Sequence, residues 1–219
     1  MIRIIENYIL KKYDVISFDI FDTLIERKCL VPADIFESAG EKILGRDKAA
    51  KFRSDRIEAE RRARQKKSGG EVNITDIYTE LDKEYSDVSK RLMDEEQNQE
   101  ILNCKKKESM YRFFLKCVAS DKKVLLVSDM YQPEQVIVKM LDKCEISGYA
   151  DIYISNCYNV NKLTGKLFEL VINKCGVDRR KIVHIGDSVK ADYLGARKAG
   201  IQSILTGRKN RLKRQFNSK

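Results

Sequence analysis

Four stretches place reactive side chains where an apolar run gives way to polar residues. Asp19 follows DVISF and opens DIFDTL at residues 19–24. Ser128 and Asp129 end KKVLLVSD, Lys162 stands six residues before Phe168, and Asp187 and Asp192 lie in GDSVKAD at 186–192. Carboxylates gathered in this way suit a hard divalent cation, since Mg²⁺ takes a few carboxylates and completes its shell with water. A lysine fixed among them would supply a positive charge to a reacting anion. Taken alone, Asp19 is equally a strand-end turn residue. What matters is whether the elements carrying these residues bring them together.

For the residues that end strands, the spacing of apolar residues says that they do. DVISF, KKVLLVSD, ADIYISN and KIVHIGD are short, β-branched runs that end at Asp19, Asp129, Asn156 and Asp187, and IQSILT adds a fifth ending at Thr206. Helical patterns lie between them: Pro133 to Lys143 with Pro near its first turn, Lys166 to Lys174 stopped by Gly176, and Ala191 to Ala199 stopped by Gly200. Strands alternating with helices give an α/β fold, a Rossmann-like parallel sheet with helices on both faces. In such sheets the carboxyl ends of the strands line the ligand crevice, and there Asp19, Ser128 and Asp187 fall.

Residues 31–110 differ. Ile35, Phe36, Ala39, Ile43 and Leu44 recur at helical spacing, a heavily charged stretch runs to the Ser-Gly-Gly break at 68–70, and TDIYTEL starts another helix with Asp76 in its first turn. This block is expected to be a helical insert, entered after the first strand and left before the second, with hinges at Pro32 and near 105–109. The expected domains are a core of 1–30 and 111–207, an insert of 31–110 and a basic tail of 208–219.

The chain has 219 residues and a net charge of +10, of which RKNRLKRQFNSK at the end supplies six basic groups and no acid. A basic tail can hold nucleic acid or an anionic membrane surface, but it is more often a solvated terminus, and charge alone does not make this a nucleic-acid protein. No apolar run approaches the ~18–20 residues of a membrane span, so no membrane insertion is expected, and MIRIIENYILKKYD lacks the features of a signal peptide. Six cysteines without a CxxC pair argue against a disulfide framework or zinc site and fit a reducing cytoplasm.

The four elements in this order resemble the haloacid dehalogenase-like superfamily: DIFDTL, a Ser or Thr at the end of the second strand, a Lys before the helix bearing an aromatic residue, and GDxxxxD. The core of the resemblance covers 14–30 and 111–207, and 31–110 matches the helical cap that many members insert there. The resemblance implies a Mg²⁺-dependent phosphatase. Asp19 would attack phosphorus to form an aspartyl-phosphate that water then hydrolyses, and Mg²⁺ would neutralise charge on carboxylate and phosphate. Asp19, Asp187 and the backbone carbonyl of Phe21 would be the metal ligands, Asp192 would anchor a metal-bound water or Lys162, and Ser128 and Lys162 would bind the phosphoryl group. Lys166 and His184 are weaker candidates, His184 as a residue of the core.

One departure stands out. Most phosphatases of the superfamily have Asp two residues after the nucleophile as general acid and base; here it is Phe21, with Asp22 one residue later. Haloacid dehalogenases also lack that Asp, but they lack the GDxxxxD metal element too. Asp22 either replaces the missing acid or fixes the turn. In the insert, Arg53, Arg56 and Arg64 share a helical face with Glu60 and could hold an anionic group of a substrate, unless Glu60 pairs with its neighbours. Glu96 and Glu100 could recognise an amine or form a solvated face, and Asp129 is a further substrate-binding candidate. DIFDTL, FRSDRIEAERRAR, TDIYTEL and SDMY look like a bacterial subgroup associated with surface-polysaccharide enzymes. That points to a small anionic substrate, a phosphorylated sugar, polyol or amino-alcohol unit that a nucleotide sugar could carry. A phosphotransferase or mutase, a metal-independent dehalogenase and a non-enzymatic binder of anions or nucleic acid are the alternatives.

Overall fold

A computed structural model describes residues 2–81 and 83–207; the basic tail of 208–219 lies outside them. The strands are β1 (Val15–Phe18), β2 (Ile25–Arg27), β3 (Cys104–Lys106), β4 (Lys123–Ser128), β5 (Asp151–Ile154), β6 (Ile182–Gly186) and β7 (Gln202–Leu205). Five of them form one sheet in the order β5-β4-β1-β6-β7, and every pairing in it is parallel. These are the five apolar runs of the sequence. They read as continuous hydrophobic segments because a parallel sheet is covered on both faces, and every residue of β1 and β6 is buried.

The cover is visible on each side of β1. Phe18 packs edge-on against Phe113 and Phe114 of the helix Glu108–Ala119, with ring centroids 6.0 and 5.8 Å away. Val15 belongs instead to a cluster with Leu125, Leu167, Phe168 and Val171, of which the last three come from the helix Lys166–Cys175. The helix Ile2–Lys12, of which the sequence reading gave no hint, precedes β1. Register does the rest: Phe18 stands opposite both Leu126 of β4 and Ile185 of β6, so Asp19, Ser128 and Asp187 emerge at one edge. The chain runs outward from β1 through β4 to β5 on one side and through β6 to β7 on the other, which makes this edge a topological switch point.

The chain divides into two compact units, one made of the residues up to Glu26, Lys106–Asp129 and those from Glu145 on, the other of Arg27–Lys105 and Met130–Cys144. The second unit overlaps the insert expected over 31–110 but has different bounds. It starts and ends a few residues earlier than 31–110, and it also takes 130–144, expected to belong to the core. Side-chain packing explains the difference: the Tyr131 carbonyl accepts a hydrogen bond from Ile74 N at 3.0 Å, and its ring joins Phe36, Phe52, Ile77 and Leu92 in one apolar cluster. Its helices are Asp34–Leu44, Arg46–Lys66, Ile74–Thr79, Ser89–Asn103 and Glu134–Lys143. The helix at TDIYTEL starts at Ile74 because Asn73 and Asp76 cap it reciprocally: Asp76 N donates to Asn73 Oδ1 at 2.9 Å and Asn73 N to Asp76 Oδ2 at 2.8 Å.

Candidate active site

Asp19 leaves the central strand 5% exposed, with its backbone N–H still donating to Ile185 of β6 at 2.9 Å. The turn that follows is tight: Leu24 N and Ile25 N both donate to the Ile20 carbonyl at 2.9 Å. This folds Thr23 back, and its hydroxyl donates to Asp19 Oδ2 at 2.8 Å. Asp22 takes a left-handed conformation with φ 60°, one that a short polar side chain tolerates better than a bulky one. Its N–H donates to the Ile25 carbonyl at 2.7 Å, and its carbonyl accepts from Lys107 Nζ at 2.7 Å.

The other oxygen of Asp19 meets Lys162. The buried ammonium donates to Asp19 Oδ1 and to Asp192 Oδ1, each at 2.6 Å. Asp192 also accepts from the Ser188 N–H at 2.8 Å, and its Oδ1 lies 3.2 Å from His184 Nε2. His184 is wholly buried in β6, with Nδ1 2.9 Å from the Ser17 hydroxyl and its ring 4.7 Å from that of Phe168. A relay across the sheet thus aims the carboxylate that holds the lysine. His184 is a core residue, as the sequence suggests, but one that supports the site. Lys166, the rival of Lys162, is exposed on its helix.

Close backbone approach completes the arrangement. A Cβ on Gly186 would stand 2.3 Å from Asp192 Cγ, and one on Gly195 would stand 2.0 Å from the Lys162 carbonyl oxygen. Both glycines are therefore needed for space. Asp129 holds the same loop from the other side, with its carboxylate oxygens 2.9 and 3.2 Å from Lys162 N. The helix expected from Ala191 starts earlier, as a wide π turn over Val189–Leu194 that continues as Gly195–Lys198. Tyr193 N reaches back to the Ser188 carbonyl at 3.1 Å, and this wider turn carries Asp192 inward.

Carboxylate oxygens of Asp19, Asp187 and Asp192 lie within 4.8 Å of one another; Asp22 is not one of this cluster. Three carboxylates face one ammonium, and the electrostatics follow from that imbalance. Burial pushes the Asp19 carboxyl up to about 7 against the pull of Lys162, with Asp192 and Asp187 adding to the rise. Burial works against the charge of Lys162 as well, but Asp19 and Asp192 outweigh it and hold its pKa above the ordinary value. Asp192, despite its own burial, is held below the usual carboxylate range by Lys162 and His184. Burial lowers His184, which favours the neutral imidazole. A donor set of carboxylates with excess negative charge fits a divalent cation.

The model of the haloacid dehalogenase-like hydrolases matches residues 13–200. The chain belongs to this hydrolase family. No curated protein sequence matches it. Among solved structures, this haloacid dehalogenase-like hydrolase is similar to a protein described as the HAD-hydrolase YfnB from Bacillus subtilis bound to magnesium, with TM-score 0.66, 15% identity and 89% of each chain covered. It is also similar to L-2-haloacid dehalogenase from Xanthobacter autotrophicus, with TM-score 0.59, 15% identity and coverage of 94% of this chain and 83% of that one. A protein from Thermotoga maritima described as a beta-phosphoglucomutase gives TM-score 0.61 and 15% identity over 92% of this chain and 91% of its own. Likeness at this identity establishes the fold and leaves the reaction to the residues. Among the described residues, no helix is long and apolar enough to cross a membrane.

The arginines expected to bind substrate are engaged elsewhere. Arg56 is wholly buried in the helical unit, where its guanidinium donates to both oxygens of Glu96 at 2.7 and 2.8 Å. Arg64 donates twice to Glu60, the intrahelical pairing that was the alternative, and Arg53 reaches Glu37 at 2.8 Å and Asp34 at 3.3 Å. Glu100, considered for an amine, holds Arg27 through two contacts of 2.8 Å. These residues form ion pairs within their own unit, so the expected anion-binding face of Arg53, Arg56 and Arg64 is corrected to a structural one. Thr23, Ser17, Gly186 and Gly195 were not named in the sequence as site residues. The motifs DIFDTL and GDSVKAD carried a signal for Thr23 and Gly186, and nothing did so for Ser17 or Gly195.

Proposed function

We propose that the protein is a Mg²⁺-dependent phosphatase that hydrolyses a phosphate monoester through an aspartyl-phosphate on Asp19. The observation that carries this reading is the Asp19 carboxylate, buried at the switch point, held by Lys162 and Thr23, and clustered with Asp187 and Asp192. Asp19, Asp187 and the Phe21 carbonyl would hold the metal, which supplies charge neutralisation for an anionic nucleophile meeting an anionic ester. An Asp19 oxygen attacks phosphorus, the bond to the leaving alkoxide breaks, and water later displaces the aspartate. Ser128 and Lys162 bind the phosphoryl oxygens, while Asp192 and Asp129 keep Lys162 in place. Asp22 is the candidate to protonate the leaving oxygen, a role worth ~10²–10⁴ in rate when a general acid fills it.

The substrate class, a phosphorylated sugar, polyol or amino-alcohol unit in surface-polysaccharide synthesis, rests on the resemblance of DIFDTL, FRSDRIEAERRAR, TDIYTEL and SDMY to that subgroup. Phosphate release from an activated aryl phosphate, with Mg²⁺ or EDTA, tests the reaction, and a panel of sugar, polyol and amino-alcohol phosphates tests the class. Mg²⁺-dependent release absent from Asp19→Asn is the expected result. A second reading is favoured by Phe21, which puts an aromatic residue where dehalogenases carry one; halide release from a 2-haloacid in EDTA would establish it and overturn the first. Phosphoryl transfer to an added sugar phosphate in place of water would assign a mutase.

A further inference from the structure

None of the six cysteines is in a disulfide, and no CxxC spacing joins any two of them. The helical unit nevertheless brings two together: the Cys144 thiol donates to Cys104 Sγ at 3.7 Å across 40 residues of sequence. Both are buried, 2% and 3% exposed. Cys104 opens β3 immediately after the helix Ser89–Asn103, and Cys144 caps the C-terminus of Glu134–Lys143. They therefore stand beside the two points where the chain leaves this unit, after Lys105 and after Cys144 itself. Both lie at ends of elements, where a small rotation of the side chain or backbone disturbs few ladder hydrogen bonds.

We propose that Cys104 and Cys144 are an oxidation site, joined by a reversible disulfide when the protein meets a peroxide. The surroundings distinguish this pair from the other thiols. The Cys144 S–H holds the Cys104 thiol below its ordinary pKa against burial, and the Lys143 ammonium adds to the effect. That ammonium is fixed nearby by the carbonyls of Ile101 and Leu102, at 2.6 and 2.5 Å. Cys117 is buried too, but burial pushes its thiol up to about 12, which makes it a poor nucleophile.

Cys104 is accordingly the first to react. Its thiolate attacks one peroxide oxygen, the O–O bond breaks, and the other oxygen leaves as water with the thiol proton, giving a sulfenic acid. The Cys144 sulfur then attacks the Cys104 sulfur, the S–O bond breaks, and a second water leaves. Two thiols lose two electrons and two protons, and one peroxide is reduced to two waters. The sulfurs must approach from 3.7 Å to the ~2.05 Å of a disulfide. The cross-link closes a loop that carries β4 and Ser128, and it should raise the unfolding midpoint by on the order of 5 °C.

The test is mild oxidation of the native full-length chain with hydrogen peroxide, followed by thiol counting and non-reduced peptide mapping. The expected result is a fall from six titratable thiols to four, one cross-linked peptide pair containing Cys104 and Cys144, and return of all thiols with dithiothreitol. Cys104→Ser and Cys144→Ser should each abolish the cross-link, and Cys157→Ser should retain it. Should either serine variant fail to fold, the map of the unmodified sequence decides alone. Oxidation at the exposed Cys157 with Cys104 and Cys144 still open to alkylation, or cross-links in any other pairing, would overturn the proposal.

Discussion

Two buried charge systems, one in each unit, look alike and behave differently. In the helical unit Arg56 faces Glu96 in a two-pronged pair. Tyr78 and Tyr131 hydroxyls also donate to Glu96, at 2.8 and 3.2 Å, and the guanidinium sits 4.4 Å from the ring of Phe36 and 5.1 Å from that of Tyr131. Glu60 also accepts from this guanidinium, at 3.3 Å, but is itself held by Arg64, so two cations answer two carboxylates. In the core unit Lys162 faces three clustered carboxylates, and the surplus pushes Asp19 up to about 7. Balance marks an ion pair that holds a fold together; imbalance marks a place where a cation and an anionic substrate complete the charge count.

The contrast is sharpest in the response to removing the cation. If the proposed phosphatase reading holds, Lys162→Met should cut turnover by about 10³-fold or more, because the lysine would bind charge that develops during the reaction, while the protein remains folded once Mg²⁺ is present. Single-turnover phosphate release and a thermal melt with and without Mg²⁺ would check this, and unchanged turnover would break the distinction. Arg56→Met should do the opposite. Leaving Glu96 buried and unpaired costs about 3–5 kcal/mol, with little change in turnover per folded molecule, and the double variant Arg56→Met with Glu96→Met should recover much of the loss. Urea unfolding of the parent and these two variants measures it; a loss of turnover without loss of stability would put Arg56 back at the substrate.

Gly195→Ala should be milder, destabilising by about 1–3 kcal/mol through overpacking and lowering turnover as the Lys162 loop shifts away from a Cβ it would meet at 2.0 Å. Addition of Mg²⁺ should not restore its turnover. The last effect concerns pH and leaves turnover aside. Burial raises Asp19 from 3.8 to about 7 in the folded chain, so the folded state holds that proton more tightly than the unfolded one. Without metal, stability falls as pH rises between those two values and levels off above. Asp19→Asn removes this dependence, so metal-free variant and parent should melt together near pH 4 and part above pH 7, with the variant higher. A parent that is the more stable of the two at pH 8 in EDTA would contradict the charge surplus.

How much of this the sequence discloses depends on the range over which each feature is decided. The strands were legible because burial on both faces writes a continuous apolar run, and Asp19, Ser128 and Asp187 were legible because strand ends in a parallel sheet share an edge. Lys162 and Asp192 could be placed only through the resemblance, and the structure sets the Lys162 ammonium between Asp19 and Asp192. The arginine face misled because its outcome is tertiary: nothing local to Arg56 reveals Glu96, 40 residues on, whereas the Arg64 pair lies within one turn. The unit to which residues 130–144 belong was likewise illegible. A helix carries its own period but not the identity of its neighbours, and here Tyr131 decides it through Ile74. The need for glycine at 186 and 195 is tertiary too, since the atoms that would collide with a Cβ come from Asp192 and Lys162.

The ammonium of Lys162 bears three hydrogens, and two are already directed at Asp19 and Asp192. An arriving ligand can therefore draw one hydrogen bond from this lysine, aimed at one oxygen, unless it displaces a carboxylate. A tetrahedral anion of the kind proposed would thereby receive an orientation as well as a counter-charge, with its remaining oxygens left to other donors such as Ser128. An arginine at this position would offer a flat fork in place of one directed proton, and with it would go the handedness of the approach.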